Sequence, residues 1–117
     1  MLAYSPLAFG HLSAKYLNGA KLAGARLTKY PPFGQRYDKP NVMPAVAAYA
    51  ELARTARLSA ASLALFVRSR WFCASTIIGA TTMEQLKEDI DVEEVTVQEG
   101  VLAEIDAIHL RYPNPAI

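Results

Sequence analysis

The sequence has a single cysteine, Cys73, one tryptophan and two histidines in 117 residues. A lone cysteine closes no internal disulfide, and no Cys/His cluster has zinc spacing, so neither a disulfide scaffold nor a metal site is expected. Charge of one sign is also missing. Twelve Lys plus Arg stand against eleven Asp plus Glu, and the net charge of +1 makes no case for nucleic acid or an anionic membrane as partner. Long hydrophobic runs are absent too: Leu63 to Val67 is broken by Arg68, far short of the roughly 20 apolar residues of a membrane helix. Met1 to Pro6 have no basic start and no apolar stretch of signal length, so a cytoplasmic chain is expected. What is present is 52% hydrophobic and 20% charged residues. That composition argues against disorder and fits one globular unit over 1–117.

Along the chain the pattern predicts a strand, a long loop, two helices, a second strand and two more helices. Leu2-Ala3-Tyr4-Ser5 is a short apolar run ended by Pro6. From there to Pro40 glycine, proline and isolated basic residues dominate; a loop of that length inside a domain is usually functional or disordered, and Leu7, Phe9, Leu12, Tyr16 and Leu17, which give its first half something to pack, favour a functional one. Asn41 is placed to cap a helix carrying Val42, Ala45, Val46, Tyr49, Leu52, Ala53 and Ala56 at helical spacing. Ser59 is placed to cap the next, with Leu58 and Leu63 at staple positions and Leu63, Phe66 and Val67 as its buried stripe. Ala74 to Ile78 reads as a strand ended by Gly79. Thr81 or Thr82 opens the following helix, with Glu84 or Gln85 as capping-box partner. Thr96 with Glu99 opens the last, which turns Val101, Leu102, Ile105 and Ile108 inward and stops at Pro113.

Strands alternating with helices indicate parallel βα units. Two such strands offer two unpaired edges for one seam, so the pattern implies a piece of a larger α/β fold or a chain that completes its sheet with a partner. Ligands in such folds bind where strands end and helices begin. The two junctions are Tyr4 to Gly10 and Ile78 to Thr82. At the second, Gly79 allows close backbone approach, and the helix start suits an anion. Gln85, Glu88 and Asp89 are placed along one edge of that helix. His11 and His109 have no second ligand or nucleophile at useful spacing and read as structural or surface residues. Cys73 reads as a small buried apolar residue.

Both junctions resemble one family. Leu2-Ala3-Tyr4-Ser5-Pro6-Leu7-Ala8-Phe9-Gly10, followed by Leu12-Ser13-Ala14-Lys15-Tyr16, is similar to the seventh strand and cofactor loop of the aldo-keto reductases. Thr76-Ile77-Ile78-Gly79-Ala80-Thr81-Thr82-Met83-Glu84-Gln85-Leu86-Lys87-Glu88-Asp89 is similar to the eighth strand and its helix. The branch with Tas-like reductases and potassium-channel β subunits is the one it most resembles, from Leu2 to about Pro113. The resemblance implies the last two βα units plus terminal helix of a (β/α)8 TIM barrel, incomplete as a barrel on its own. It also implies NADP(H) as cofactor and hydride transfer between a nicotinamide and a small carbonyl or alcohol.

By that resemblance Tyr4 stacks on the nicotinamide, Ser5, Leu7, Ala8 and Gly10 line the pyrophosphate, and Lys15 adds a cation beside it. Arg26 is a candidate for the phosphate-bearing end. Gly79, Ala80 and Thr81 to Gln85 hold the 2′-phosphate and ribose, with Glu88 and Asp89 on the adenine. Two residues depart from the pattern. Ala14 replaces a common glycine, and Asp89 replaces a common asparagine, whose amide donors it lacks. The family's catalytic Asp, Tyr, Lys and His lie on earlier strands, none of which this sequence contains. No catalytic residue is therefore assigned, and this chain alone is expected to be inactive. The alternatives are a non-catalytic nucleotide-binding module, self-associating through its open sheet edges, or a truncated relic.

Overall fold

Leu2, Ala3 and Tyr4 alternate exposed, buried, exposed, as a strand with one covered face must. In the computed structural model, which describes residues 1–116 (the backbone alone for Phe33), they form strand β1, Leu2–Tyr4. Ile117, the last residue of the expected unit, lies outside the described residues. β1 pairs in parallel with β2, Ser75–Ile77, with Leu2 opposite Ser75, Ala3 opposite Thr76 and Tyr4 opposite Ile77. The Met1 ammonium donates to the Phe72 carbonyl and the Ala74 N–H to the Met1 carbonyl, extending the pairing backwards. Among the described residues the sheet has only these two strands. One face, with Ala3 and Thr76, turns toward the helices; Leu2, Tyr4, Ser75 and Ile77 are exposed. A parallel sheet is normally covered on both faces, and here one is bare.

The loop expected between Pro6 and Pro40 is a series of 3-10 turns, Ala8–Ser13, Leu17–Gly19 and Pro31–Tyr37, around a four-residue helix α1, Arg26–Lys29. Helix α2, Val42–Thr55, is alanine-rich, a composition with high intrinsic helicity. Asn41 stands at its N-cap, but its side chain makes no capping bond. Its far end closes through a left-handed Arg57 (φ 58°). The Leu58 N–H donates to Ala53 and the Arg57 N–H to Arg54, so two orphan carbonyls are satisfied at once.

Helix α3, Ala60–Leu65, begins where expected, with the Ser59 hydroxyl accepting from the Ser62 N–H at 3.0 Å. Its buried residues are Ala61, Leu63 and Leu65. Phe66 and Val67 are only half-buried because the helix tightens into a 3-10 turn, Phe66–Ser69, which rotates them off the packed side. Helix α4, Met83–Asp91, is capped by Thr82. Helix α5, Glu99–Arg111, starts at Gln98 with no side-chain cap, so the expected Thr96–Glu99 box does not form. Ile108 is buried, and Val101, Leu102 and Ile105 are half-buried against the body of the molecule. The core is assembled where α2 meets α3, α5 and the 8–13 turn, with Val42, Ala45, Val46, Ala53, Leu63, Leu65 and Val92 at its centre.

Candidate functional site

The register places the two strand-to-helix junctions side by side. Because Tyr4 stands opposite Ile77, Ser5 and Ile78 leave the sheet as neighbours. Tyr4 is 76% exposed, open to a flat ligand. Ser5 turns left-handed (φ 54°), and its carbonyl accepts from the Ala8 N–H at 2.9 Å. Ala8, Phe9 and Gly10 then follow with φ of 48°, 56° and 94°. Each non-glycine residue there costs on the order of 1 kcal/mol, and such strain collects at binding sites.

Gly10 is favoured as glycine by its φ of 94°, which L side chains rarely adopt. A Cβ there would lie 2.5 Å from Lys15 Cε and 2.8 Å from Lys15 Nζ, so the lysine side chain, which folds down onto the turn, would also have to move. Lys15 and Gly10 are thus brought together, while Leu7 contributes its carbonyl to the Gly10 and Leu12 N–H groups. Ala14, in place of a glycine, also adopts a left-handed conformation (φ 63°). Arg26 lies over the Phe9 ring, 5.5 Å from its centroid, and so stands beside the turn.

At the second junction, Gly79 and Ala80 are exposed, and a Cβ at Gly79 would meet open space. Nothing within the chain therefore demands glycine at 79. The Gln85 side-chain oxygen accepts from both the Thr81 N–H and the Thr81 hydroxyl at 3.0 Å, and the Gln85 N–H donates to the Thr82 hydroxyl. The Glu84 carboxyl is held below the ordinary range by its own backbone N–H and by the Thr82 hydroxyl. The helix start is thus capped by its own side chains, which an incoming anion would have to displace.

Gln85, Glu88 and Asp89 lie on one helix, as expected, and their side chains meet different neighbours. Gln85 bonds Thr81, while Glu88 accepts from the Ser59 hydroxyl of α3 at 2.6 Å. Asp89 lines a cavity of about 360 Å³ between β2, α4 and the 66–69 turn, with Arg68 and Glu93. Burial and, next, the Glu88 charge push the Asp89 carboxyl up. Spacing along a helix placed the three residues near one another, but each found a different neighbour across the fold.

Sequence reasoning missed the surroundings of the first junction. His11 is 8% exposed, and both its ring nitrogens are without a hydrogen-bond partner. It packs between the Tyr16 and Tyr37 rings, at centroid distances of 5.3 and 5.1 Å. Burial first, and Lys15 second, push its pKa below 6.5. Tyr37 meets Phe9 edge-on at 5.6 Å, and Arg36 lies over Tyr37 at 5.4 Å. The signal was in the distribution of charge rather than its total, since residues 1–37 contain no aspartate or glutamate. Cys73 is half-buried, its Sγ near the Ser75 carbonyl, and His109 is exposed. Among the described residues there is no metal-binding group of His, Cys, Asp and Glu, and no helix long and apolar enough to cross a membrane.

Comparison with known proteins bears directly on these junctions. The protein tas of Escherichia coli K12 is 52% identical over 117 residues, covering 99% of this chain and 34% of that protein. The protein tas of Shigella flexneri matches equally. An aldo-keto reductase of Babesia bovis is 32% identical over 120 residues, covering 98% of this chain and 42% of its own length. The chain thus spans about a third of the tas proteins it matches. The model of the Aldo/keto reductase family matches residues 1–110, including both junctions, and this chain belongs to that family.

Proposed function

We propose that this chain is the NADP(H)-binding portion of an oxidoreductase of aldo-keto reductase type, corresponding to the last two βα units and terminal helix of a (β/α)8 barrel. The observation that carries the reading is the placement of Ser5 and Ile78 as neighbours at the end of a parallel pair. Two backbone turns there meet one ligand. The residues fit a dinucleotide: an exposed aromatic at Tyr4 and a left-handed turn at 8–10 with Lys15 folded onto it.

In this reading Tyr4 packs on the nicotinamide, and Ser5, Leu7, Ala8, Gly10 and Lys15 hold the pyrophosphate. Arg26 reaches the phosphate-bearing end. Gly79, Ala80, Thr81 and Gln85 hold the 2′-phosphate and ribose, with Glu88 and Asp89 toward the adenine. The bound cofactor supplies a hydride; this chain's residues bind and orient it and keep water from one face. The proton donor that a developing alkoxide needs belongs to strands outside this sequence, so a small carbonyl substrate is reduced only in a complete barrel.

A second reading, a nucleotide-binding module that associates with itself, is favoured by the bare sheet face and the two open edges of β1 and β2.

Thermal unfolding without ligand, with NADH and with NADPH tests both. A ligand that binds only the folded chain raises the midpoint by mass action. The expected result is a cooperative transition raised more by NADPH than by NADH. Equal shifts would remove the preference for NADP(H). A featureless melt with no shift would identify the residues as inherited from a barrel this chain does not build.

A further inference from the structure

His11 is 8% exposed, and neither of its ring nitrogens has a hydrogen-bond partner. Left-handed backbone at Ala8, Phe9 and Gly10, which the surroundings must hold, brings Phe9 and His11 against aromatic neighbours. The imidazole stands between the Tyr16 and Tyr37 rings, and each of those rings already carries a cation, Lys15 on Tyr16 and Arg36 on Tyr37. The same rings hold a second segment. The Tyr16 hydroxyl accepts from the Leu27 N–H of α1 at 3.3 Å, Leu27 Cδ2 lies 3.1 Å from where a Cβ on Gly34 would stand, and Tyr37 reaches Phe9. On either side of that segment, residues 18–24 and 38–41 are exposed. We propose that His11 is an acid-released latch: neutral, it holds residues 26–37 against the 8–13 turn; protonated, it leaves the slot between the two tyrosines and frees that segment while α2 and α5 stay folded.

Residues 26–37 depend on this cluster. A helix of four residues and a 3-10 turn are unstable by themselves, so the contacts of Tyr16, Leu27 and Tyr37 decide whether they stay docked. A neutral imidazole rests between two rings as an apolar plate. A charged one sets a third cation between Lys15 and Arg36, and its two N–H donors need acceptors that the slot does not offer. The charges around it bring no relief. Its own stretch contributes Lys15 and Tyr16; α1 and its end contribute Arg26, Lys29 and Tyr30; the 31–37 turn contributes Arg36 and Tyr37, followed by the exposed Asp38 and Lys39. Asp38 is the carboxylate of this neighbourhood, yet burial first and Lys15 second hold the imidazole below its ordinary 6.5. Helix α3 has no ionisable side chain, and α2 offers Tyr49 and the Glu51–Arg54 pair. An imidazolium is therefore solvated only by leaving the slot, which undocks the rings on both sides of it.

The inference is independent of the dinucleotide reading, and its test needs no nucleotide. Amide hydrogen exchange of the whole chain is followed by NMR from pH 7.5 to pH 5 and corrected for the intrinsic rate at each pH. The latch is read at Leu27, Thr28, Tyr30 and Asp38, whose N–H groups donate within the segment or to Tyr16. Their protection is expected to fall about tenfold for each pH unit below 6.5, with the amides of α2 and α5 better protected throughout. His11→Phe, which fills the slot with an uncharged ring, is expected to abolish that pH dependence, and Asp38→Asn to leave it in place. In the unsubstituted chain the loss should track the titration of the His11 ring and not that of His109, a readout that does not require the His11→Phe chain to fold. Protection that is absent at pH 7.5, flat down to pH 5, equally pH-dependent in His11→Phe, made flat by Asp38→Asn, or no weaker than that of α2 and α5 would each overturn the inference.

Discussion

The Ser59 hydroxyl donates to the Glu88 carboxylate at 2.6 Å, tying the cap of one helix to the middle of another 29 residues away. The same oxygen accepts from the Ser62 N–H, so one hydroxyl both starts α3 and docks α4. Ser59→Ala removes both roles. It is expected to cost about 1–2 kcal/mol, read from the urea midpoint, where a cap alone costs about 1. Ser59→Asp tests the division: it restores the cap but sets a second carboxylate against Glu88.

Arg57 ends α2 in a left-handed conformation (φ 58°) at a position that glycine fills without a Cβ penalty. Its side chain is exposed. Arg57→Gly is expected to stabilise the chain by up to about 1 kcal/mol, the relieved strain exceeding glycine's extra unfolded-state entropy. A lower urea midpoint in the variant would show that the arginine stem packs usefully.

Asp89 is half-buried, its carboxyl raised by burial and by the Glu88 charge. A group raised on folding contributes its full share of stability below its ordinary value of 3.8 and loses it as pH rises through the folded value. At neutral pH the ionised carboxylate is therefore a burden. Asp89→Asn is expected to raise the melting midpoint by about 1–2 °C at pH 7 and to have less effect at pH 3. In the dinucleotide reading it also strengthens NADPH binding, by restoring amide donors.

His11 has the opposite sign. Its pKa is lowered from 6.5 on folding, so its contribution is complete above 6.5 and is lost as pH falls through the folded value. Without ligand, the midpoint of unfolding should therefore drop below pH 6.5, and His11→Phe should flatten that limb. A chain equally stable at pH 7 and pH 5 would contradict the burial of an unpartnered imidazole.

Gln85 accepts two hydrogen bonds from Thr81, and its amide nitrogen has no partner among the described residues. Gln85→Ala is expected to weaken NADPH binding about tenfold, measured by fluorescence titration. Unchanged affinity would return Gln85 to a capping role alone. The chain by itself is expected to give no NADPH-dependent reduction of an aldehyde above a protein-free control, because no proton donor has been assigned in it.

The sequence by itself determined the elements that local physics controls. The apolar runs at 2–5 and 74–78, the cap at Ser59, a cap at Thr81 or Thr82 and the breaks at Pro6 and Gly79 were all legible; the structure uses Thr82. Each depends on residues within four positions of one another. The Thr96–Glu99 motif was equally legible and did not form: α5 packs on α2 and begins after Gln98, and a capping box, worth about 1 kcal/mol, is too small a term to fix a helix start against tertiary packing. Family membership was legible too, since the two junction motifs lie in continuous stretches.

Only the tertiary structure decided what surrounds those motifs. It sent Glu88 to Ser59 and Asp89 to the Arg68 cavity, partners that their shared helix edge does not specify. It also gathered Phe9, His11, Tyr16, Arg26, Arg36 and Tyr37 into one cluster from separate turns. Periodicity reports which face of an element is apolar; it does not report which element comes to meet that face. The long 6–40 segment has neither helical nor strand periodicity, so its fold depends on ring contacts and left-handed turns that exist only once the chain has closed on itself.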